Sequence, residues 1–240
     1  MRLAIIPARG GSKRIARKNI RDFCGRPIIA WSITAAKESK CFDHVVVSTD
    51  DDEIADIARQ EGAEVPFRRP SELADDLTPT IPVIAQGIEA CEAHYGEAAK
   101  EVCCLYATAP FVRPTDLKVG FDLLELGKYR YVFPITTYPF PIQRALRRKD
   151  SGHVAMFSPE NFSKRSQDLE EAWHDAGQFY WGTAQSWREG HPIFRGSVFG
   201  IPLPRHRVQD IDTPEDWARA ELLFNALSFF KEKSHGSLQD

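Results

Sequence analysis

Two short segments near opposite ends of the chain carry the residue types that could do chemistry. The first, residues 5–19, reads IIPARGGSKRIARKN, so an apolar run meets two glycines and then a series of basic residues. Six cations lie between positions 9 and 21 with no acidic residue among them: Arg9, Lys13, Arg14, Arg17, Lys18 and Arg21. The whole chain carries a formal charge of −3, so this positive charge is local and favours an anionic ligand.

The two glycines of this segment suggest how the anion would be bound. Glycine adopts positive φ and has no side chain in a ligand's path, so we expect the N–H groups from Gly10 to Lys13, including that of Gly11, to form a concave nest for phosphate. The segment matches neither the G-x-x-x-x-G-K-[ST] nor the G-x-G-x-x-G motif. A solvated face or a nucleic-acid patch is the alternative, and the position directly after an N-terminal strand favours a pocket.

The second segment, QDIDTPEDW at residues 209–217, places two carboxylates two positions apart. In an extended backbone Asp210 and Asp212 project to the same side, while Ile211 turns into the core. Thr213 and the following proline then predict a capped helix start. A carboxylate pair completed by water and phosphate oxygens suits Mg²⁺, with plain helix capping as the alternative. The cationic loop strengthens the metal interpretation, because a triphosphate needs both cationic donors and a metal.

Alternating strands and helices must position these two segments. Apolar and β-branched runs predict strands at residues 3–6, 44–49, 64–67, 102–107, 129–136 and 198–203. Helical spacing predicts helices at residues 28–39, 50–59, 81–94, 115–126 and 214–230. This alternation predicts an α/β fold with a doubly wound, mainly parallel, Rossmann-like sheet, whose ligands bind outside the carboxyl ends of its strands.

The pattern is interrupted at residues 139–176, which are polar and poorly periodic. We interpret this range, called the flap below, as an insertion in a single domain that spans residues 1–240. An insert of this length with scattered apolar anchors is hard to order by itself, so we expect it to form a homodimer.

Composition excludes several classes of protein. No apolar run approaches the ~20 residues that a membrane span needs, and no signal or transit peptide opens the sequence. We therefore expect a cytoplasmic protein without a membrane partner. The five cysteines form no C-x-x-C pair and show no metal-ligand spacing, which predicts free thiols and argues against a zinc site.

Five segments together carry a resemblance to a known family: IPARGGSKRIARKNI, RRPSELADD from Arg68, YATAPF from Tyr106, DAGQFYWG from Asp175, and QDIDTPEDW from Gln209. The chain resembles the CMP-sialic acid synthetases, cytidylyltransferases that activate nine-carbon acidic sugars. The resemblance implies a nucleotidyltransferase fold, a homodimer, Mg²⁺ as cofactor, and CTP and a nine-carbon 2-keto sugar acid as substrates. The implied reaction is attack by the sugar's anomeric hydroxyl on the α-phosphorus of CTP, which gives a CMP-sugar and pyrophosphate.

The resemblance also implies roles for individual residues. By this resemblance the triphosphate is bound by Arg9, Ser12 and Lys13. The cytosine lies near Asn19, and the cytidine is surrounded by Arg69 and Thr80. The expected nucleotide-binding set is completed by Gly10, Gly11, Lys18 and Tyr106. Asp210 and Asp212 fall on the magnesium ligands, and with Arg9 and Lys13 they form the expected catalytic set. The sugar side comprises Tyr106, Gln178, Tyr180, Phe194 and Arg165, and Arg165 is expected to act across the dimer interface.

Two departures from the family pattern concern the sugar side. Tyr106 stands where sialic acid synthetases carry glutamine in Q-P-T-S-P, and residues 176–180 read AGQFY where they read NGAIY. These differences favour pseudaminic acid as the acceptor, with N-acetylneuraminic and legionaminic acid as alternatives. Ordinary core packing is the alternative role for Tyr106 and Phe194. The sequence identifies no general base.

A non-catalytic nucleotide-binding or nucleic-acid-binding protein is a further alternative. Nucleic-acid binders spread cations along a face and interleave aromatic residues, whereas here the charge is confined to one loop. We therefore expect no nucleic-acid partner.

Overall fold

Residues 1–236 are described by the computed structural model, with side chains described as far as Phe229. They form eleven strands and six α-helices. The strands are β1 (Leu3–Pro7), β2 (Asp22–Phe23), β3 (Arg26–Pro27), β4 (His44–Ser48), β5 (Glu101–Leu105), β6 (Tyr131–Thr137), β7 (Leu146–Arg148), β8 (Val154–Met156), β9 (Trp173–Asp175), β10 (Phe179–Thr183) and β11 (Val198–Pro202). The helices are α1 (Ile28–Ser39), α2 (Asp52–Gln60), α3 (Thr80–Tyr95), α4 (Pro114–Glu125), α5 (Ala184–Arg188) and α6 (Pro214–Gly236).

Seven strands form one central sheet, in the order β11-β6-β10-β5-β1-β4, with β9 added to β6. β4, β1, β5, β6 and β11 share one direction, while β10 and β9 run antiparallel to their neighbours. Side chains alternate between the faces along β1, so Ala4 and Ile6 pack with α1, α2 and α4 on one face. Leu3 and Ile5 pack with α3 and α5 on the other. The α/β, doubly wound and mainly parallel prediction is confirmed.

The strand predicted at residues 64–67 is wrong. Only Glu64 pairs with the sheet, through a single bridge to Val46. Its N–H donates to the Val45 carbonyl at 2.8 Å, and its own carbonyl accepts from the Val47 N–H at 2.9 Å. The next donor in this register would be residue 66, which is a proline without an N–H, so the pairing stops there.

The reversed strand β10 lies in the middle of the sheet, yet sequence periodicity does not identify it. Its five residues are mostly aromatic and contain Gly182. A Cβ on Gly182 would lie 2.6 Å from two ring carbons of Tyr131 and 2.8 Å from Nε1 of Trp187. The glycine is therefore needed because two neighbouring aromatic rings fill the place of its side chain.

The flap is partly regular. β7 and β8 pair as an antiparallel hairpin, and β9 at the end of the flap joins the central sheet beside β6. Seven of its large apolar side chains are exposed: Phe140, Ile142, Leu146, Val154, Phe157, Phe162 and Trp173. This surface is unusually apolar for an exposed one, and it bears on the assembly considered below.

The start of α6 fixes the acidic segment as the sequence predicts. Ile211 is 1% exposed and packs with Phe23, Ile28 and Trp217. Thr213 caps the helix, because its Oγ1 accepts from the Asp216 N–H at 3.2 Å while its own N–H donates to the Asp216 carboxylate at 2.8 Å.

The structure also bears on two expectations from composition, which concern the cysteines and membrane-spanning segments. All five cysteines are free thiols, as predicted, and Cys41, Cys91, Cys103 and Cys104 are buried. Within residues 1–236, no helix has both the length and the apolar character that crossing a membrane requires.

Replacing Gly182 by alanine should destabilise the fold. The added methyl group would overlap the Tyr131 ring, so we expect the free energy of unfolding to fall by about 1–3 kcal/mol in urea denaturation. Gly11→Ala is the matched control, since a Cβ there has no atom within 4 Å and the backbone φ is not positive. Equal denaturation midpoints for the two variants would contradict the packing argument.

Candidate active site

A cavity of about 550 Å³ opens at the carboxyl ends of β1 and β5, where the fold predicts a ligand. Pro7 ends β1 at its wall, and Tyr106 follows β5. Nine residues that the sequence assigns to the nucleotide or the metal line it: Arg9, Ser12, Lys13, Lys18, Asn19, Arg69, Thr80, Tyr106 and Asp212. The structure therefore brings together residues that are up to about two hundred positions apart in the chain.

The six cations of residues 9–21 each contact an acidic or aromatic side chain from another part of the fold. The contacts are Arg9 and Lys13 with Asp76, Arg14 and Lys18 with Asp212, Arg17 with Asp51 and Glu53, and Arg21 with the Trp217 ring. The Arg9–Asp76 nitrogen–oxygen distance is 2.5 Å, and the Arg14–Asp212 distance is 3.0 Å. The basic run is an organised loop and not a uniformly solvated face.

Gly10 and Gly11 would allow positive φ, but neither residue adopts it. Gly10 is required for a different reason: a Cβ there would lie 2.6 Å from Oδ2 of Asp51. Its N–H donates to Oδ1 of Asp50 at 3.0 Å, and the Ser12 N–H donates to the Gly10 carbonyl at 3.1 Å. Two N–H groups of the expected nest are thus already used within the protein.

Asp76 occupies the centre of the cationic side of the cavity. Its two carboxylate oxygens bind the two side chains expected on the triphosphate, those of Arg9 and Lys13, and these contacts lower its pKa. The neighbouring Asp75 fixes the turn, because its Oδ1 accepts from the Leu77 N–H at 3.0 Å and from the Thr78 N–H at 2.6 Å. A carboxylate held in this way occupies a position suited to a phosphate group.

Arg69 and Asn19 form the inner wall of the cavity. Arg69 is 5% exposed, and its Nε donates to Oγ of Ser48 at 3.1 Å. Burial lowers the pKa of this guanidinium to about 10, so it remains a cation at neutral pH. Asn19 donates from Nδ2 to the Arg9 carbonyl at 2.9 Å, and this bond joins the end of the cationic loop to its beginning. The side chains of Arg69 and Asn19 are therefore held in place by hydrogen bonds next to the cationic loop.

The carboxylate pair lies where the cavity meets a second cleft of about 590 Å³. Asp212 lines both spaces, whereas Asp210 lines only the second, together with Asp175. Loss of hydration, and then the negative charge of Asp212, raise the pKa of the Asp210 carboxyl. The positive charge of Lys18 opposes this rise in the pKa, and its Nζ lies 3.3 Å from Oδ1 of Asp212.

The donor set of this pair fits Mg²⁺. Among the residues described, no group of three or more metal-binding side chains occurs. Mg²⁺ is commonly held by one or two carboxylates, with phosphate oxygens and water as its other ligands, so Asp210 and Asp212 beside a cavity lined by cations have the donor chemistry that it requires.

The predicted sugar-side residues are only partly assembled. Tyr106 and Tyr180 lie with ring centroids 5.5 Å apart, and Phe133 packs against both Tyr180 and Phe194 at 5.7 and 5.3 Å. Phe194 is 65% exposed, so core packing does not account for it.

The side chains of Gln178 and Arg165 have other partners, although the Gln178 carbonyl accepts from the Tyr106 N–H at 2.9 Å. Gln178 is buried and donates from Nε2 to the Arg207 carbonyl at 2.7 Å. Arg165 is exposed on the flap, where it pairs with Asp168 at 2.9 Å, and it does not line the cavity. Within one chain the predicted sugar-side residues therefore do not form a single group.

Sequence reasoning misses two acidic residues of this region. Asp76 contacts the cationic loop, and Asp175 accepts a hydrogen bond from the Tyr180 hydroxyl. Both lie at an end of a segment that carries the family resemblance, RRPSELADD and DAGQFYWG. That position is the signal that could have identified them.

Comparisons with known proteins agree with this geometry. A sequence model described as cytidylyltransferase matches residues 3–183, and the chain belongs to that family. Among its relatives, the pseudaminic acid cytidylyltransferase of Campylobacter jejuni is 43% identical over 222 residues, which cover 92% of this chain and 95% of the relative. The CMP-N,N'-diacetyllegionaminic acid synthase of Legionella pneumophila is 33% identical over 230 residues, which cover 92% and 95% of the two chains. The family resemblance read from the sequence is confirmed.

Solved structures support the fold. A CMP:2-keto-3-deoxy-manno-octonic acid synthetase, determined with CTP, superposes with a TM-score of 0.67 over 94% of this chain and 98% of that one. The sequence identity is 14%, so the likeness concerns architecture alone.

Replacing Asp76 by asparagine should strengthen anion binding in this cavity. The amide keeps the shape of the side chain but no longer competes as an anion for Arg9 and Lys13. We expect the Kd for inorganic tripolyphosphate, measured by isothermal titration calorimetry, to fall at least about threefold. Asp56→Asn, which removes an exposed carboxylate on α2, should leave it unchanged. An unchanged or higher Kd for the Asp76 variant would contradict this interpretation.

Proposed function

We propose that the protein is a pseudaminic acid cytidylyltransferase, which transfers CMP from CTP to pseudaminic acid and releases pyrophosphate. The observation that carries the proposal is the single cavity that gathers the nine residues named above, with a carboxylate pair at its edge. The 43% identical relative, which bears the same activity in its name, supports this acceptor.

The nucleotide would bind by replacing contacts that the protein makes with itself. Arg9 and Lys13 would exchange the Asp76 carboxylate for phosphate oxygens, and the Ser12 hydroxyl would lie beside them. Arg69 and Asn19 would face the base, because both are fixed and polar at the inner wall. Such prearranged donors contribute to catalysis because their orientation does not have to be organised during the reaction.

Asp210 and Asp212 would hold Mg²⁺ against the triphosphate. When bound, the ion would neutralise charge that develops on the phosphates. Arg14 and Lys18 now neutralise Asp212 and would be released toward the phosphates. The protein's own contribution is thus to keep the two carboxylates close together at the helix start, through the buried side chain of Ile211.

The proposed reaction is an in-line substitution. The anomeric oxygen of the sugar acid forms a bond to the α-phosphorus, the bond from that phosphorus to pyrophosphate breaks, and the hydroxyl proton passes to a base that we do not assign. Positioning of the two substrates is the main requirement of such a step.

The acceptor is the finer part of the proposal. Tyr106 in place of the family's glutamine, together with Tyr180 and Phe194, gives the sugar side an aromatic wall. Legionaminic acid is the alternative, and the 33% identical synthase represents it among the relatives.

We also propose a cytoplasmic homodimer with no nucleic-acid partner. The seven exposed apolar side chains of the flap provide a surface for a second copy. Free thiols suit a reducing compartment. The positive charge is confined to one loop beside a cavity, whereas nucleic-acid binders spread cations along a face.

The direct test is mass spectrometry of the products formed from CTP and Mg²⁺ in separate incubations with pseudaminic, legionaminic and N-acetylneuraminic acid. The expected result is a CMP-sugar chiefly with pseudaminic acid. A higher rate with either other sugar would overturn the acceptor assignment, and no CMP-sugar from any of them would overturn the proposed function.

Asp212→Asn should nearly abolish turnover without unfolding the protein. The amide loses the charge that would hold the metal against the triphosphate, and we expect a decrease of at least about a hundredfold in kcat. Circular dichroism checks the fold. The control is Asp122→Asn on the exposed face of α4. Wild-type turnover of the Asp212 variant at limiting Mg²⁺ would refute the metal assignment.

Mixing the Arg165→Ala protein with the Asp212→Asn protein should restore activity that each variant lacks alone. Arg165 is outside its own cavity, so we propose that it contacts the sugar carboxylate bound to the neighbouring subunit. A heterodimer of the two variants then contains one intact composite site. Activity is measured after subunit exchange proven by native mass spectrometry. No recovery despite exchange, or a monomer by light scattering at micromolar concentration, would contradict the shared site.

A further inference from the structure

A further cavity, of about 380 Å³, shares no lining residue with the nucleotide cavity or with the cleft beside the carboxylate pair. It lies between α1, the loop that precedes α4 and the middle of α6, and it is called the α1–α6 cavity below. Its apolar wall consists of aromatic and aliphatic side chains: Trp31, Phe111, Val112, Phe224 and Leu227. The Trp31 and Phe224 rings lie with centroids 4.6 Å apart. A space of this size with an apolar wall can hold a small organic molecule.

Three arginines line the polar side of the α1–α6 cavity, and two of them are neutralised. Arg26 donates to Oε2 of Glu61 at 2.7 Å. The side chain of Arg207 is 9% exposed and forms an ion pair with the Asp116 carboxylate. Among the residues that the structure describes, the Arg113 side chain has no hydrogen bond or ion pair. The cavity therefore retains one uncompensated guanidinium.

The position of Arg113 is unfavourable for stability alone. The residue directly precedes α4, where the helix dipole favours an anion and disfavours a cation. Burial, and then the nearby charge of Arg207, lower the pKa of the Arg113 guanidinium. Asp116 opposes this effect, but it is already paired with Arg207. A partly buried cation beside a second cation and a helix N-terminus calls for an anion.

Arg207 also lacks an acceptor. Its two terminal nitrogens donate to the Asp116 carboxylate, with an Nη1–Oδ1 distance of 3.4 Å, whereas its Nε is buried and has no hydrogen-bond partner. Within residues 1–229 it is the only buried side-chain nitrogen without a partner. Buried polar groups nearly always have a partner, so this one requires an explanation. The unpaired charge of Arg113 and the unused donor of Arg207 are separate observations at one cavity.

The charges of the lining residues indicate the class of ligand. Glu38 also lines the α1–α6 cavity, but it is exposed to solvent, so water and salt screen its negative charge. A single uncompensated guanidinium suits a monoanion, whereas a polyphosphate carries several negative charges. A planar guanidinium also matches a carboxylate, because the two groups can form two parallel hydrogen bonds.

We propose that the α1–α6 cavity binds a small organic monocarboxylate with an apolar body. The carboxylate binds Arg113 beside Arg207, and the apolar body lies against Trp31 and Phe224. This site is separate from the nucleotide cavity and from the cleft beside the carboxylate pair, and it does not depend on the proposed function.

Isothermal titration calorimetry with phenylacetate and its neutral analogue phenylacetamide tests this site. We expect phenylacetate to bind at least about tenfold more tightly, because only the acid forms charge-assisted hydrogen bonds with a guanidinium. Arg113→Gln should raise the Kd for phenylacetate at least about tenfold, since it removes the cation. Glu38→Gln should lower the Kd about twofold, because it removes a screened negative charge from the same cavity. Lys13→Gln, which removes a cation of the nucleotide cavity, is the matched control and should leave the Kd unchanged.

Several results would overturn the inference. They are no binding of phenylacetate at about 10 mM, equal Kd values for the acid and the amide, a higher Kd for Glu38→Gln, and equal losses in the Arg113→Gln and Lys13→Gln proteins. Thermal denaturation checks that each variant folds. If Arg113→Gln does not fold, a crystal structure of the wild-type protein with phenylacetate replaces it. The carboxylate is expected on Arg113, and phenylacetate bound elsewhere, or not bound at all, would overturn the inference. The experiment uses neither CTP nor a sugar acid, so failure of the proposed function would leave its result unaffected.

Discussion

The concentration of positive charge at residues 9–21 is the constraint on which the rest of the site depends. Six cations on thirteen consecutive residues repel each other, and the fold satisfies them with side chains from distant segments. Asp51, which caps the start of α2, accepts hydrogen bonds from Arg17 on both carboxylate oxygens at 2.6 and 2.9 Å, and this contact ties the loop to the core. Asp76 and Asp212 contact the cations that line the cavity, and we propose that a triphosphate with its metal replaces these contacts.

The reversed strand β10 determines where the predicted sugar-side residues lie. It is inserted between β5 and β6, so Tyr180 comes beside Tyr106 at the carboxyl end of β5. The alternate residue Trp181 packs into the opposite face of the sheet, which fixes the register of the strand. The flap then connects β6 to β10 through β9, and the last residue of β9, Asp175, accepts a hydrogen bond from the Tyr180 hydroxyl. One topological feature therefore places the aromatic group of Tyr106 and Tyr180 and the exposed apolar surface of the flap.

Sequence reasoning predicted the parts of the molecule that depend on local pattern. The β-branched run of β4, the cap at Thr213 and the buried Ile211 follow from short-range rules. It could not predict contacts that depend on pairing between distant segments, such as Asp76 with Arg9. Gly10 illustrates the difference, because its glycine is required by Asp51, forty-one positions away, and not by its own φ. Strand β10 was not predicted for a related reason, because its aromatic residues pack against neighbouring strands on both sides, β5 and β6, which are distant in the sequence.

The central claim is that the Asp76 carboxylate occupies, in the free protein, the position that a phosphate group of CTP takes in the complex. A crystal structure of the protein with CTP and Mg²⁺ tests it most directly. We predict that Asp76 leaves Arg9 and Lys13, that phosphate oxygens bind these two side chains, and that the metal contacts Asp210 and Asp212. A complex in which Asp76 still binds Arg9 and Lys13 while the triphosphate lies elsewhere would contradict the account.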